Sequence, residues 1–124
     1  MGVLFTLLGV LFTLTTYNGV SYVVKKLKLM PDYECFALWG IDSVDNIDPA
    51  SLPISDGLKE RIGKWEDAYD NTLNQDDPTA SGFQSSEEES DFDIEGRLIW
   101  KELKKELGES YEVRYFSIVE SALI

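Results

Sequence analysis

The chain has 124 residues and a formal charge of −12, from 23 acidic and 11 basic side chains, with no histidine and one cysteine. A chain of this length forms one domain that buries about two-thirds of its unfolded surface, enough to fold without disulfides. The missing histidine removes the usual general base and the commonest zinc ligand, the single Cys35 excludes an internal disulfide, and the charge repels nucleic acid and anionic membranes.

Residues 1–24 carry no charged side chain, and Lys25, Lys26 and Lys28 follow them. Two readings compete for this segment. Its length suits a membrane helix with a cytoplasmic basic flank, although four threonines, Asn18, Gly19 and Ser21 weaken insertion. Alternatively, Asn18-Gly19 between runs of threonine, tyrosine and valine predicts a β-hairpin closed by a type I′ turn. Either way, residues 1–24 are expected to be an apolar extension and residues 25–124 a single α+β domain.

Residues 25–30 alternate, with Leu27 and Leu29 on one side and Lys26 and Lys28 on the other, so they predict a strand. Pro31-Asp32 turns the chain. Residues 34–41 are short, apolar and bounded by turn residues, which predicts a second strand, with Trp39 on the core and Cys35 a buried, inert thiol. Residues 42–53 read as a loop.

The clearest helix follows. Leu58, Ile62, Trp65, Tyr69 and Leu73 succeed one another at steps of four, three, four and four, and so share one face. Ser55 is placed to cap it, and Asp56 stands where a carboxylate favours the positive end of the helix dipole. Residues 74–86 form a long polar loop, made irregular by Pro78 and Gly82 and tied back by Phe83. A second helix runs to Leu107, capped by Ser85 or Ser86, with Glu87, Glu88 and Glu89 in its first turn. Phe92, Glu95 or Gly96, Ile99, Leu103 and Leu107 form its inward stripe, with Trp100 at the edge. Gly96 inside a helix costs about 1 kcal/mol against alanine, and a close contact with another element would explain it. Gly108 terminates the helix, residues 111–118 alternate as the last strand, and residues 120–124 are a tail. The expected architecture is α+β: a small antiparallel or mixed sheet with two helices packed on one face.

No catalytic or cofactor pattern emerges. Asp42, Asp45 and Asp48 lack the spacing of a calcium loop and read as turn-forming aspartates. Asp76 and Asp77 precede a proline and have no visible catalytic partner. Neither an enzyme nor a metal or cofactor is expected. The acidity, however, is local: residues 42–95 hold 16 acidic and 3 basic side chains, whereas the rest of the chain is nearly neutral. Such a field serves solubility, or it steers a basic partner into place. In the second reading Asp76, Asp77, Glu87, Glu88 and Glu89 form the docking face, with Asp42, Asp45 and Asp48 beside it.

From Lys26 to Phe116 several motifs carry a family resemblance. They are Leu29-x-Pro31-Asp32-Tyr33-x-Cys35-x-x-Leu38-Trp39, then Ile47-Asp48-Pro49-x-x-Leu52-Pro53-x-Ser55. Trp65-x-x-x-Tyr69-Asp70 is followed by Leu73-Asn74-x-Asp76-Asp77-Pro78-x-x-Ser81-Gly82-Phe83. Phe92-x-x-Glu95-Gly96 and Leu107-Gly108-x-x-Tyr111-x-Val113-x-Tyr115 complete the set. The chain resembles a family of small bacterial proteins, some of which look like immunity proteins of contact-dependent growth inhibition or related polymorphic toxin systems. The resemblance implies a cytoplasmic antitoxin that binds a cognate toxin domain; the acidic charge adds the expectation that the toxin is a basic nuclease and that the chain does not bind nucleic acid. Residues 1–24 depart from the family pattern and are the only route to a membrane. A membrane-tethered or regulatory acidic domain, and a carboxylate enzyme, are the competing classes.

Overall fold

A computed structural model describes residues 3–7, 10–17, 20–41 and 43–124, with side chains from residue 24 onward. Three strands come first: β1 (Val3–Leu7), β2 (Val10–Tyr17) and β3 (Val20–Leu29). β1 and β3 each pair antiparallel with β2. The described parts of residues 1–24 are therefore strand, β3 runs through residues 24 and 25 without a break, and the expected Asn18-Gly19 turn lies outside the described residues. Among the described residues no helix is long and apolar enough to cross a membrane.

β3 is the centre of the sheet. Its start pairs with β2, and its end pairs antiparallel with β4 (Leu38–Gly40), Leu29 opposite Leu38. Along its other edge lies β6 (Tyr111–Ser117), parallel, with Lys25 opposite Tyr111 and Leu29 opposite Tyr115. Two short strands complete the mixed sheet: β5 (Asn46–Ile47) beside β4, and β7 (Ala122–Leu123) beside β6. Parallel neighbours need a long crossover, and here it contains both helices, α1 (Asp56–Asp70) and α2 (Ser86–Leu107).

Alternation sets the buried face. Leu27 and Leu29 of β3, Leu38 of β4 and Val113 and Tyr115 of β6 pack into one cluster with Leu58, Ile62 and Trp65 of α1 and Phe92, Ile99, Leu103 and Leu107 of α2. Both helices thus cover the same face of the sheet, as the sequence predicts. Each fully buried leucine or isoleucine contributes about 1.5–3 kcal/mol.

Gly96 explains itself here. A Cβ at that position would lie 2.6 Å from Trp65 Cζ2 and 2.8 Å from Tyr115 Cζ, so α2 approaches α1 and β6 at once. Neither ring is free to retreat. The Trp65 indole N–H donates to the Phe92 carbonyl (2.9 Å), and the Tyr115 hydroxyl donates to Asp93 (2.8 Å). Gly96→Ala is therefore expected to destabilise the fold by about 1–3 kcal/mol in a urea titration, although alanine is the better helix former by about 1 kcal/mol.

Several boundaries differ from those expected. The strand predicted over 34–41 shrinks to Leu38–Gly40. Glu34 takes a left-handed conformation (φ 58°), and the backbone N–H groups that would enter a ladder donate to side chains instead. Glu34 N–H donates to Asp70 (2.9 Å), Phe36 N–H to Asn46 (2.8 Å) and Ala37 N–H to Glu66 (2.7 Å). α1 stops at Asp70 rather than Leu73, because Thr72 and Leu73 N–H groups fold back onto the Tyr69 and Asp70 carbonyls. The loop over 42–53 contains β5 and a 3-10 turn at Pro49–Ser51, and the tail contains β7. Of the two candidate caps, Ser85 is the one used: its hydroxyl accepts from Glu88 N–H (3.1 Å). Cys35 is half-buried rather than buried. Burial, then the nearby Asp32, Asp70 and Glu66 carboxylates, push its thiol above the ordinary value.

Candidate functional site

α1 and α2 run antiparallel, as their contacts require: Ser55 ahead of α1 meets Glu106 near the end of α2, and Arg61 meets Glu95. Past Asp70 the chain leaves α1 and returns to α2 through residues 71–85. Gly82 N–H donates to the Thr72 carbonyl (3.0 Å) and Asn74 N–H to the Ser81 hydroxyl (2.8 Å), which close this segment on itself. Asn74 Oδ1 then accepts from both Asp76 N–H (3.1 Å) and Asp77 N–H (3.0 Å). The result is a groove of about 990 Å³ between the C-terminal half of α1, the N-terminal half of α2 and the connecting segment.

The groove has an aromatic floor and a charged rim. Trp65, Phe83 and Phe92 line its base, with Trp65 stacked on Phe92 (centroids 4.5 Å apart) and Phe83 against Phe92 (5.1 Å). Phe83 does anchor the loop, as expected. From α1 come Arg61, Lys64 and the exposed Ala68; from α2 come Glu88, Asp91 and Glu95. Arg61 and Glu95 form a two-pronged pair, Nε to Oε2 at 3.0 Å with a second bond beside it, which raises the guanidinium pKa further. Lys64 pairs with Glu60 on its own helix (3.2 Å). Glu88 accepts only the Gln84 backbone N–H (3.3 Å), and no cation among the described residues pairs with Glu88 or Asp91.

The structure treats the candidate carboxylates unequally. Of the seven among the described residues, Glu88 alone lines the groove. Gln75, the neighbour of Asp76, lines it too, so the loop tip and the start of α2 border one opening. Asp76 and Asp77 are exposed, and Asp77 accepts from the Thr79 hydroxyl (2.6 Å). Glu87 is exposed and Glu89 half-buried in the first turn of α2. Asp45 and Asp48 belong to a different segment, ahead of α1. Asp48 caps the 3-10 turn by accepting from Ala50 N–H (2.9 Å), in keeping with the turn-forming reading. Asp42 lies outside the described residues. Among the described residues no cluster of His, Cys, Asp and Glu is placed to hold a metal ion.

Sequence reasoning missed Asp91 and Glu95 as groove residues. Their signal was present: Glu88, Asp91 and Glu95 are spaced by three and four, which puts them on one side of α2. It also missed a carboxylate that works structurally. Glu66 of α1 accepts from Ala37 N–H, and burial, partly offset by that bond, raises its pKa above the ordinary glutamate value.

An α+β fold with a groove between its two helices, with carboxylates on the groove's rim and further acidic side chains on the adjoining loop and helix start, has the makings of a protein-binding module. Residues 25–118 match the family model described as Serratia CdiI immunity protein-like, and the chain belongs to that family. No curated protein matches the chain.

Proposed function

We propose that this protein acts in the cytoplasm by binding and neutralising a cognate toxin domain with a basic, nuclease-type surface. It does so by occlusion rather than by catalysis. The observation that carries this reading is the match of residues 25–118 to the immunity family. The confinement of the negative charge to residues 42–95 supports it. A nuclease holds phosphates with lysine and arginine, and carboxylates presented on a protein surface compete for the same side chains. Asp76, Asp77, Glu87, Glu88 and Glu89 form the docking face, and Asp42, Asp45 and Asp48 add to the field from the segment ahead of α1. Residues 25–124 carry the function as one domain, with residues 1–24 as an added arm.

The test looks for a toxin reading frame immediately upstream of this gene and uses the domain that such a frame encodes. Co-expression should restore growth, and the purified pair should form a stable complex. Its association should slow about tenfold or more between low and high salt, because opposite fields speed encounter. Absence of a complex, or of rescue, overturns the reading; a complex indifferent to salt overturns the acidic docking face.

A further inference from the structure

Resting on that reading, we infer that the groove between α1 and α2 is the anchor point of the toxin, and that it takes a partner segment bearing an arginine beside a large apolar side chain. Three features of the groove define this occupant. First, its floor is apolar: the half-buried Phe83 faces the groove and is backed by Phe92 and Trp65, which are almost wholly buried beneath it. A large apolar side chain seated there excludes water from the contact, as the central residues of tight interfaces do.

Second, the charge on its rim is unbalanced. Arg61 is matched by Glu95 and Lys64 by Glu60, so both cations lining the groove are already satisfied from within the protein. Glu88 and Asp91, three residues apart on α2, have no cationic partner among the described residues. The site therefore lacks one positive group, and a planar guanidinium suits it best because it bonds carboxylates through two nitrogens and lies flat on aromatic rings. Third, the groove is held in shape before any partner arrives. Its walls are two packed helices and a loop closed by the Thr72–Gly82 and Asn74–Ser81 bonds, so little ordering opposes binding.

The two parts of the acidic surface then divide the work. Asp76 and Asp77, outside the groove, act at a distance and set the rate of encounter. Glu88, Asp91 and the aromatic floor act in contact and set the rate of release.

The experiment measures binding kinetics of the toxin domain that passes the rescue test above to the full chain and three variants, each checked for an unchanged thermal melt. Ala68→Trp fills the groove from an exposed helix position without removing a carboxylate. The pair Glu88→Gln with Asp91→Asn removes charge without filling it. Each is expected to weaken affinity about tenfold or more, mainly through faster dissociation. Asp76→Asn with Asp77→Asn should instead slow association. If both groove variants bind within about twofold of the unaltered chain, the groove is not the anchor. If only Ala68→Trp loses affinity, the occupant is apolar and not basic, which also overturns the inference. A loss confined to the charge pair shows that nothing enters the groove, and overturns it too. Failure of the unaltered chain to bind overturns the immunity reading and this inference together, whereas binding untouched by the groove variants overturns this inference alone.

Discussion

Replacing Asp93 by alanine is expected to destabilise the protein by about 2–5 kcal/mol, since two buried hydroxyls would lose their side-chain acceptor at about 1–3 kcal/mol apiece and Tyr115 would keep only a long contact to the residue-93 backbone carbonyl (3.4 Å). Asp93 lies on α2 and is only 5% exposed. One of its oxygens accepts from the Tyr115 hydroxyl (2.8 Å) and the Ser117 hydroxyl (3.0 Å), both on β6 and both buried. The other accepts from Arg97 Nε (2.9 Å), and Arg97 reaches on to Glu120 (3.2 Å). Arg97 keeps Glu120 and solvent when Asp93 is lost, so the penalty falls on the hydroxyls. Tyr115 cannot escape by ionising: burial, then the bond to Asp93, raises its phenol pKa far above the ordinary value. The loss is a large fraction of a typical stability of about 5–15 kcal/mol. Urea denaturation at pH 7 measures it. Asp93→Asn, which keeps an acceptor oxygen in place, should retain most of the stability; equal losses for the two variants would show that charge, not acceptor geometry, is what matters.

Trp65→Ala is expected to have an effect of similar or greater size, about 3–5 kcal/mol, the range for deleting a buried aromatic side chain. Trp65 is the point where α1, α2 and the sheet meet. It stacks on Phe92 with the rings 8° from parallel, tilts against Tyr115 at 6.3 Å and ties its indole N–H to the Phe92 carbonyl. Removing it opens a cavity beneath Gly96, a site chosen for close approach, and removes one of the three rings under the groove. Trp65→Phe keeps ring contact and gives up the hydrogen bond, so it should lose much less. Thermal melts of the two variants distinguish packing from hydrogen bonding. A Trp65→Ala protein as stable as the parent would mean that the helices do not close over this ring.

The helices and their inward faces were readable because their causes are local. Ser55 and Ser85 accept from the N–H groups three residues on, and the apolar stripe of each helix repeats every three or four residues. Gly96 was readable as a problem, and its solution required knowing that Trp65 and Tyr115 converge on it. The extent of β4 was not readable. Its ladder is cut short by side chains that arrive from elsewhere: Glu66 and Asp70 from α1, and Asn46 from β5. Asp93 looked like one more carboxylate in an acidic helix start. Only the pairing of α2 with β6 brings Tyr115 and Ser117 to it and turns a solvated charge into a buried acceptor. The candidate site divides in the same way. Local charge density pointed to the region around Glu88, but the groove depends on how α1 lies against α2, so Arg61, Lys64 and Ala68 gave no sign of their place in it.

The parallel alignment of β3 with β6 also governs when the protein becomes useful during its own manufacture. Lys25 leaves the ribosome well before Tyr111, its neighbour in the sheet. Until that distant stretch has been translated, one edge of the central strand has nothing to hold, and closing so long a chain segment is slow compared with forming either helix. The sheet is therefore completed only after residues 111–117 are made, and a message cut short before residue 111 yields a chain that cannot cover the second edge of β3.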